Sequence, residues 1–161
     1  MDIRQKTAPG ARVRTARLKV VSDYRFDTTV DSGHVVPTDE GAHLGGTGAA
    51  PTSLETLTAA LASCQSVQVV RVAEAMRFRM ANLGVTCVTT SGKQPGVKGN
   101  DAVTHIDGAS LEIAFDTDEP PARLERLKVL SVDKCPIGRL FDQAGLPPRI
   151  TWKVGALARQ E

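Results

Sequence analysis

Apolar and polar residues alternate at two places near the N-terminus, and this period-two pattern predicts two β-strands. The first strand begins at Leu18, the second runs from Phe26 to Val30, and a turn near Ser22 joins them. Residues 31–51 show no such periodicity and are rich in glycine. We therefore interpret residues 31–51 as a long loop. Loops of this length without secondary structure are uncommon in compact domains and are often functional.

The next pattern predicts one long helix that is capped by Thr52 or Ser53 and runs to about Arg77 or Arg79. Glu55 follows Thr52 by three residues, which is the spacing of a capping box, and an acidic side chain there also suits the helix dipole. Asn82 and Gly84 are expected to stop the helix, with Gly84 as its C′ residue. A helix of about 25 residues would be nearly 40 Å long.

The rest of the chain predicts two strands, two short helices and a final strand. In chain order these are a strand over residues 85–90, a loop over 91–101, a strand over 103–115, a helix opened by residues 118–121, a helix opened by residues 133–136 and closed by Gly145, and a strand over 149–154. The order β-β-α-β-β-α-α-β predicts an α+β fold in which antiparallel pairing is favoured. We expect a single domain over residues 17–161, preceded by a flexible N-terminal segment over residues 1–16.

Composition and charge exclude several classes of function. The 20 Lys and Arg residues against 18 Asp and Glu leave a net charge of +2, which gives no electrostatic footprint for nucleic acid. No apolar run approaches the roughly 18 residues of a membrane span, and the basic N-terminus lacks the apolar core of a secretory signal. The 3 cysteines are an odd number and suggest no disulfide framework. We therefore expect a cytoplasmic protein with neither nucleic acid nor a membrane as a partner.

The motifs of several common sites are missing from the sequence. The 3 histidines are scattered, and no CxxC, HxxxH or HExxH spacing occurs, so we expect no metal site. The sequence has no GxSxG elbow, so it gives no support for a serine hydrolase. The run Gly45–Gly48 is neither a phosphate-binding loop nor a dinucleotide fingerprint, because the lysine and the preceding strand of those motifs are missing.

Cys64 lies in the middle of the long predicted helix. On a helical projection it shares a face with Leu57, Leu61, Val67 and Ala75, so we expect it on the buried stripe of the helix. From the residues alone, a small apolar core residue is the simpler interpretation of Cys64, because free cysteine often has that role. A reactive thiol is the alternative interpretation.

Cys135 has different surroundings. It precedes Pro136 at the predicted N-cap of a short helix, with Lys134 beside it. Unpaired N–H groups and the positive end of the helix dipole would stabilise a thiolate, so we expect a lowered pKa and a reactive side chain. A buried cap without chemistry is the alternative. Cys87 lies in a predicted strand without a charged neighbour, and we interpret it as a packing residue.

Several of these features occur together in a known pattern. Gly45-Gly46-Thr47-Gly48 is followed by Pro51-x-x-Leu54-Glu55-x-Leu57-x-Ala59-Ala60-Leu61-Ala62-Ser63-Cys64, and Lys134-Cys135-Pro136-Ile137 comes about 70 residues later. Over roughly residues 18–155 the sequence resembles the OsmC/Ohr family. The resemblance implies an OsmC-like α+β fold, with antiparallel sheets and long central helices, and an intertwined homodimer whose sheets combine strands from both chains.

The resemblance also implies an activity. The family contains thiol-dependent peroxidases that reduce organic hydroperoxides in defence against oxidative stress, without a metal, flavin or haem cofactor. The residues that match their reactive pair are Cys64, as the peroxidatic cysteine, and Cys135, as the resolving cysteine. An external dithiol, typically a lipoyl group, would reopen the disulfide that forms. A protein of this fold that binds a small molecule or senses oxidants without peroxidase turnover is the alternative.

Glu55 matches the acidic residue of a less characterised branch of the family, because the best-known hydroperoxide reductases have theirs at the position of Leu54. It precedes Cys64 by nine residues, about 13.5 Å and half a turn, so it cannot touch the cysteine of its own helix. As a catalytic residue it would have to act on the partner subunit's cysteine, and otherwise it only caps the helix. The family also uses an N-terminal arginine to hold the thiolate, for which no motif selects among Arg12, Arg14, Arg17 and Arg25.

Overall fold

The computed structural model describes residues 9–96 and 102–157. The first eight residues of the predicted N-terminal segment and the last five of the predicted loop over residues 91–101 lie outside this part of the chain. The chain divides into two compact units between Thr56 and Leu57.

The first unit is built on a three-stranded antiparallel sheet. Its strands are β1 (Ala16–Ser22), β2 (Arg25–Val30) and β3 (Val35–Thr38), in the order β1-β2-β3, and a short 3₁₀ turn over Ala42–Leu44 follows. The two predicted strands and the turn between them are confirmed. The prediction that residues 31–51 contain no strand is wrong, because Gly33 turns the chain with a φ of 82° and Val35 and Val36 then extend along β2.

The glycine-rich loop of this unit folds around the carboxylate of Asp39, which is only 2% exposed. Its oxygens accept hydrogen bonds from the hydroxyl and N–H of Thr47 and from the N–H groups of Ala49 and Glu40. These bonds, led by that of the Thr47 hydroxyl, lower the pKa of Asp39 to about 2 against the opposing effect of burial. Gly46 lies so close to the carbonyl oxygen of Glu40 that a Cβ atom there would overlap it. A buried carboxylate therefore organises this loop.

The second unit joins most of the long helix to a mixed sheet and two short helices. The elements are α1 (Ser53–Met76), β4 (Ala81–Pro95), β5 (Ala102–Asp116), α2 (Pro121–Asp133), α3 (Pro136–Gln143) and β6 (Arg149–Gly155), with the strands in the order β4-β5-β6. The predicted α+β fold is confirmed. None of the helices in the described ranges is long and apolar enough to span a membrane.

The sheet of the second unit differs from the expectation in two ways. β4 and β5 are antiparallel, but β6 runs parallel to β5, because α2 and α3 carry the chain back to the middle of β5, where Arg149 pairs with Ser110. The predicted loop over residues 91–101 also begins too early, since β4 continues to Pro95 in register with Ala102 of β5.

The long helix ends before the glycine that was expected to stop it. Its last residue is Met76, and Arg77 adopts the left-handed conformation with a φ of 50°. The N–H of Phe78 donates to the carbonyl of Ala73 and the N–H of Arg77 donates to the carbonyl of Glu74, which are the two hydrogen bonds of a Schellman motif. Phe78 is 6% exposed, so burial of its ring accompanies the end of the helix, and Gly84 lies within β4 instead.

A stripe of α1 side chains is buried, and we call it the α1 stripe: Leu61, Gln65, Val69, Val72 and Ala73. Its apolar members share one buried cluster with residues of the sheet and the short helices, including Leu111, Ile113, Phe115, Leu127 and Phe141. The predicted buried face of the helix is partly wrong, because it included Val67 and Ala75, which are exposed. Cys64 is half-buried at the edge of the stripe.

Candidate active site

Two cysteines that lie 71 residues apart in the sequence meet in the second unit. The sulfur atoms of Cys64 and Cys135 are 3.4 Å apart, and the Cys135 thiol donates a hydrogen bond to the Cys64 sulfur. Cys64 comes from the middle of α1, and Cys135 comes from the junction between α2 and α3. Both are free thiols. The fold thus brings together the two residues that the family resemblance implies as a reactive pair.

Cys135 is the N-cap residue of α3, as the sequence predicts. Its backbone is extended, with φ −81° and ψ 105°, and Pro136 occupies a position in the first turn of the helix. The N–H of Gly138 donates to the Cys135 sulfur at 3.3 Å, which is the contact of an N-cap side chain. Cys135 is 0% exposed, whereas Cys64 is half-buried. Cys135 is therefore the more enclosed residue of the pair.

The pKa of Cys135 is raised to about 11, and the lowered value expected from its N-cap position is wrong. Burial is the largest cause, because a thiolate there would lose its hydration. The N–H groups of Gly138 and Ile137 favour the thiolate, but the hydrogen bond and charge interaction with Cys64 oppose it. The expectation considered the helix end without the burial around it. Cys135 is accordingly a neutral thiol at physiological pH.

Glu55 forms the predicted capping box at the start of α1. The N–H of Thr52 donates to the Glu55 carboxylate at 2.7 Å, and the N–H of Glu55 donates to the Thr52 hydroxyl at 3.2 Å. The bonds from Thr52 lower the pKa of Glu55, so that the carboxylate is ionised at neutral pH. The capping role is confirmed, and a role at the cysteine of a partner subunit stays a prediction.

Arg25 differs from the other candidate arginines in its surroundings. Its Nη2 atom lies 3.5 Å from the carboxylate of Asp27. Its Nη1 atom is buried and has no hydrogen-bond partner within residues 9–96 and 102–157. The other candidates, Arg12, Arg14 and Arg17, are exposed. A buried donor without an acceptor is costly, so Arg25 has a structural reason to bind an anion that the exposed arginines lack.

The remaining chemically interesting side chains fit simpler roles. Cys87 lies in β4 opposite Leu111 and packs against the buried cluster, and burial raises the pKa of its thiol. These contacts agree with its interpretation as a packing residue. In the part of the chain that the structure describes, no group of three or more His, Cys, Asp and Glu side chains could hold a metal ion.

Sequence reasoning missed two residues that frame the cysteine pair. Gln65 lies next to Cys64 and is buried, and its side chain bonds to the backbone of Ser131, which is also buried. A signal for Gln65 was present, because Leu61, Gln65 and Val69 are spaced four residues apart and therefore share a helix face. Ser131 gave no signal, since its part depends on where α2 ends.

The family model described as OsmC-like protein matches residues 46–151, which contain both cysteines of the pair. Solved structures share the fold. An OsmC-like protein from Mycoplasma pneumoniae is 15% identical, with a TM-score of 0.71, and the match covers 92% of this chain and 99% of that protein. An organic hydroperoxide resistance protein OsmC from Legionella pneumophila is 15% identical, with a TM-score of 0.64 and coverages of 93% and 100%.

An organic hydroperoxide resistance protein from Elizabethkingia anophelis is 13% identical, with a TM-score of 0.63 and coverages of 93% and 100%. At these identities the likeness to solved structures shows the fold. A search of curated proteins finds no significant match. The family model matches well over half of the sequence, and the chain belongs to the OsmC-like protein family.

Proposed function

We propose that this protein is a thiol-dependent peroxidase that reduces organic hydroperoxides to alcohols in cytoplasmic defence against oxidative stress. The observation that carries the proposal is the contact between Cys64 and Cys135, whose sulfur atoms are 3.4 Å apart. A disulfide bond is about 2.05 Å long, so the two sulfurs need to move by little more than 1 Å to form one. A reversible disulfide is therefore available to the pair.

The difference in burial supports a different role for each of the two cysteines. Cys64 is half-buried and is therefore the more accessible residue of the pair, which favours it as the peroxidatic residue. Cys135 is fully enclosed and carries a raised pKa, so it is a poor first nucleophile and serves as the resolving residue. The hydrogen bond from the Cys135 thiol also stabilises negative charge on the Cys64 sulfur.

The first half of the reaction oxidises Cys64. Its thiolate attacks the distal oxygen of the hydroperoxide, so that an S–O bond forms and the O–O bond breaks. Cys64 becomes a sulfenic acid, and the departing alkoxide takes up a proton and leaves as the alcohol. The peroxide is reduced by two electrons, which the sulfur supplies.

The second half restores the thiols. The Cys135 sulfur attacks the Cys64 sulfenic acid, a disulfide forms, and the thiol proton leaves with the hydroxyl group as water. An external dithiol, for which a lipoyl group is our candidate, then exchanges with the disulfide. It returns both cysteines to thiols and becomes a disulfide itself, and no metal, flavin or haem takes part in this cycle.

The structural neighbours favour this chemistry over others of the same fold. The proteins from Legionella pneumophila and Elizabethkingia anophelis are both described as organic hydroperoxide resistance proteins. Their likeness to this chain is one of fold, and the cysteine pair supplies the chemical argument that the fold alone lacks.

We further propose that the protein acts as a homodimer. Leu18, Val20 and Val21 of β1 are each more than half exposed. A three-stranded sheet with exposed apolar side chains normally requires a covering surface. A second copy of the chain would provide it, and would also allow Glu55 to act on the partner subunit's cysteine. Light scattering at micromolar concentration should then show a dimer, and a monomer would contradict this part of the proposal.

Arg25, like Glu55, is our candidate for a residue that acts across the dimer, as the cation that holds the thiolate of the partner subunit's Cys64, because its buried Nη1 atom lacks an acceptor among the described residues. Arg25→Gln should slow the oxidation of Cys64 by about tenfold or more, the effect of losing one charge-assisted hydrogen bond. Arg17→Gln, at an exposed position of β1, is the matched control and should leave the rate unchanged. Equal rates in the two variants would remove Arg25 from the mechanism.

Steady-state consumption of cumene hydroperoxide, with dihydrolipoamide as the reductant, tests the function. Wild type and the control Cys87→Ser should turn over and prefer cumene hydroperoxide to hydrogen peroxide. Cys64→Ser should be inactive, and Cys135→Ser should consume one equivalent and then stop. Full turnover in Cys64→Ser would contradict the mechanism. Oxidation of the wild-type pair without sustained turnover would favour an oxidant sensor, and no oxidation at all would favour a binding protein.

A further inference from the structure

Gln65 is the polar member of the otherwise apolar α1 stripe. It is 1% exposed, and its Nε2 atom donates a hydrogen bond of 3.1 Å to the carbonyl oxygen of Ser131. Ser131 is 0% exposed, so the bond is shielded from water. A long polar side chain is seldom enclosed in this way unless it satisfies a buried partner.

The partner of Gln65 is a carbonyl that its own helix does not satisfy. In a continuing helix, the Ser131 carbonyl would accept the N–H of Cys135, four residues later. That N–H instead donates to the carbonyl of Val132 at 3.2 Å, where the chain leaves α2. The carbonyl groups in the last turn of a helix need partners from elsewhere. The Gln65 amide therefore donates to the Ser131 carbonyl in place of the Cys135 N–H.

This single bond connects the two backbones that carry the reactive sulfurs. Gln65 follows Cys64 directly on α1, and Ser131 lies four residues before Cys135. We infer that Gln65 is a positioning residue, which holds the end of α2 against α1 and thereby determines how readily Cys64 and Cys135 form their disulfide. The inference deepens the proposed function, since it concerns the same cysteine pair.

The direction of the effect follows from proximity. Two groups held close together react as if at a high local concentration, and this advantage falls when one of them becomes free to move. Without the Gln65 amide, the Ser131 carbonyl is buried without its donor and the end of α2 shifts to satisfy it. Cys135 moves with it, so the disulfide becomes less favoured relative to the two thiols.

The test is the thiol–disulfide equilibrium of the pair against reduced and oxidised dithiothreitol, measured by mass spectrometry in a Cys87→Ser background. Oxidised dithiothreitol takes the two thiol hydrogens and two electrons as the protein disulfide forms, so no peroxide is needed. Gln65→Met, similar in size but without the donor, should lower the equilibrium constant for disulfide formation by about threefold to tenfold, as loss of a typical net hydrogen bond would. Gln65→Asn, too short to reach Ser131, should do the same and serves as the second variant.

Val69→Ala is the matched control. Val69 lies one turn further along the α1 stripe and is 0% exposed, so its truncation destabilises the fold without removing the bond to Ser131. Its equilibrium constant should stay within about twofold of the wild-type value, by the typical additivity error for independent sites. A Gln65 effect that Val69→Ala reproduces, or unchanged constants in both folded Gln65 variants, would overturn the inference. Missing peroxide turnover in a protein that shows the Gln65 effect would overturn the proposed function alone.

Discussion

Asp39 and Cys135 are both enclosed acids that accept backbone N–H groups, yet their pKa values move in opposite directions. Asp39 is 2% exposed and its pKa is lowered to about 2, whereas Cys135 is 0% exposed and its pKa is raised to about 11. Asp39 accepts bonds from one hydroxyl and three N–H groups, and these outweigh the cost of its burial. Cys135 has fewer donors and the Cys64 sulfur beside it.

The difference shows that neither a helix end nor burial decides a pKa by itself. The supply of donors to the charged form must be weighed against lost hydration and neighbouring charge. In the glycine-rich loop, that balance keeps the Asp39 carboxylate ionised at neutral pH. At the cysteine pair, it keeps the Cys135 thiol protonated at physiological pH.

The largest expected effect is on the reactivity of Cys135. With a pKa of about 11, only about one Cys135 in a thousand is a thiolate at pH 8, against roughly a quarter of ordinary thiols. Alkylation of the reduced protein by iodoacetamide, followed by peptide mapping, should label Cys135 at least about 100-fold more slowly than in the unfolded chain. Labelling within tenfold of the unfolded rate would show that the thiol is neither buried nor kept neutral.

The loop around Asp39 should be sensitive to an added methyl group. Gly46→Ala forces a Cβ atom against the Glu40 carbonyl, so the donors of Asp39 must shift, and we expect a loss of about 1–3 kcal/mol in the free energy of unfolding. Gly84→Ala is the control, because a Cβ atom at Gly84 meets nothing within 4 Å. Urea denaturation of both variants checks this, and equal stability would mean that the loop is not closely packed.

The raised pKa of Cys135 predicts how the stability of the protein changes at alkaline pH. Its folded pKa exceeds its ordinary value, so its contribution to stability is fully present below about pH 9 and is lost as the pH rises toward about 11. Cys135→Ser does not titrate there, so its stability should fall less steeply over this interval than that of the reduced wild type. Parallel urea-denaturation profiles would contradict the raised pKa.

The acid side gives the mirror-image prediction for Asp39. Its folded pKa lies below the usual 3.8, so its contribution is present above pH 3.8 and is lost as the pH falls toward about 2. Asp39→Asn should be less stable than the wild type at neutral pH, and the difference should narrow in acid. A constant difference between pH 7 and pH 2.5 would exclude an ionised Asp39 as the cause.

Local patterns were sufficient to predict much of this fold. The capping box of Thr52 and Glu55, the N-cap at Cys135 and the turn at Gly145 depend on neighbouring residues, and the structure has each of them. The two N-terminal strands also followed from alternation along one chain segment. Structural features that depend on contacts within a few residues can therefore be predicted from the sequence.

Features that depend on distant contacts were not predicted. The enclosure of Cys135 comes from packing around the junction of α2 and α3, so its pKa was expected in the wrong direction. The spacing of Gln65 from Leu61 and Val69 indicates its buried position, but not its hydrogen bond, because the carbonyl of Ser131 needs a partner only where α2 ends. The parallel β6 likewise depends on the path of the two helices before it.

The reactive pair is tested most directly by oxidising the reduced wild-type protein with one equivalent of cumene hydroperoxide and mapping its cysteines by mass spectrometry. We expect one disulfide within each chain, between Cys64 and Cys135, with Cys87 still a free thiol and one equivalent of alcohol released. A stable sulfenic or sulfinic acid on Cys64 beside an unmodified Cys135, or a disulfide that includes Cys87, would contradict it.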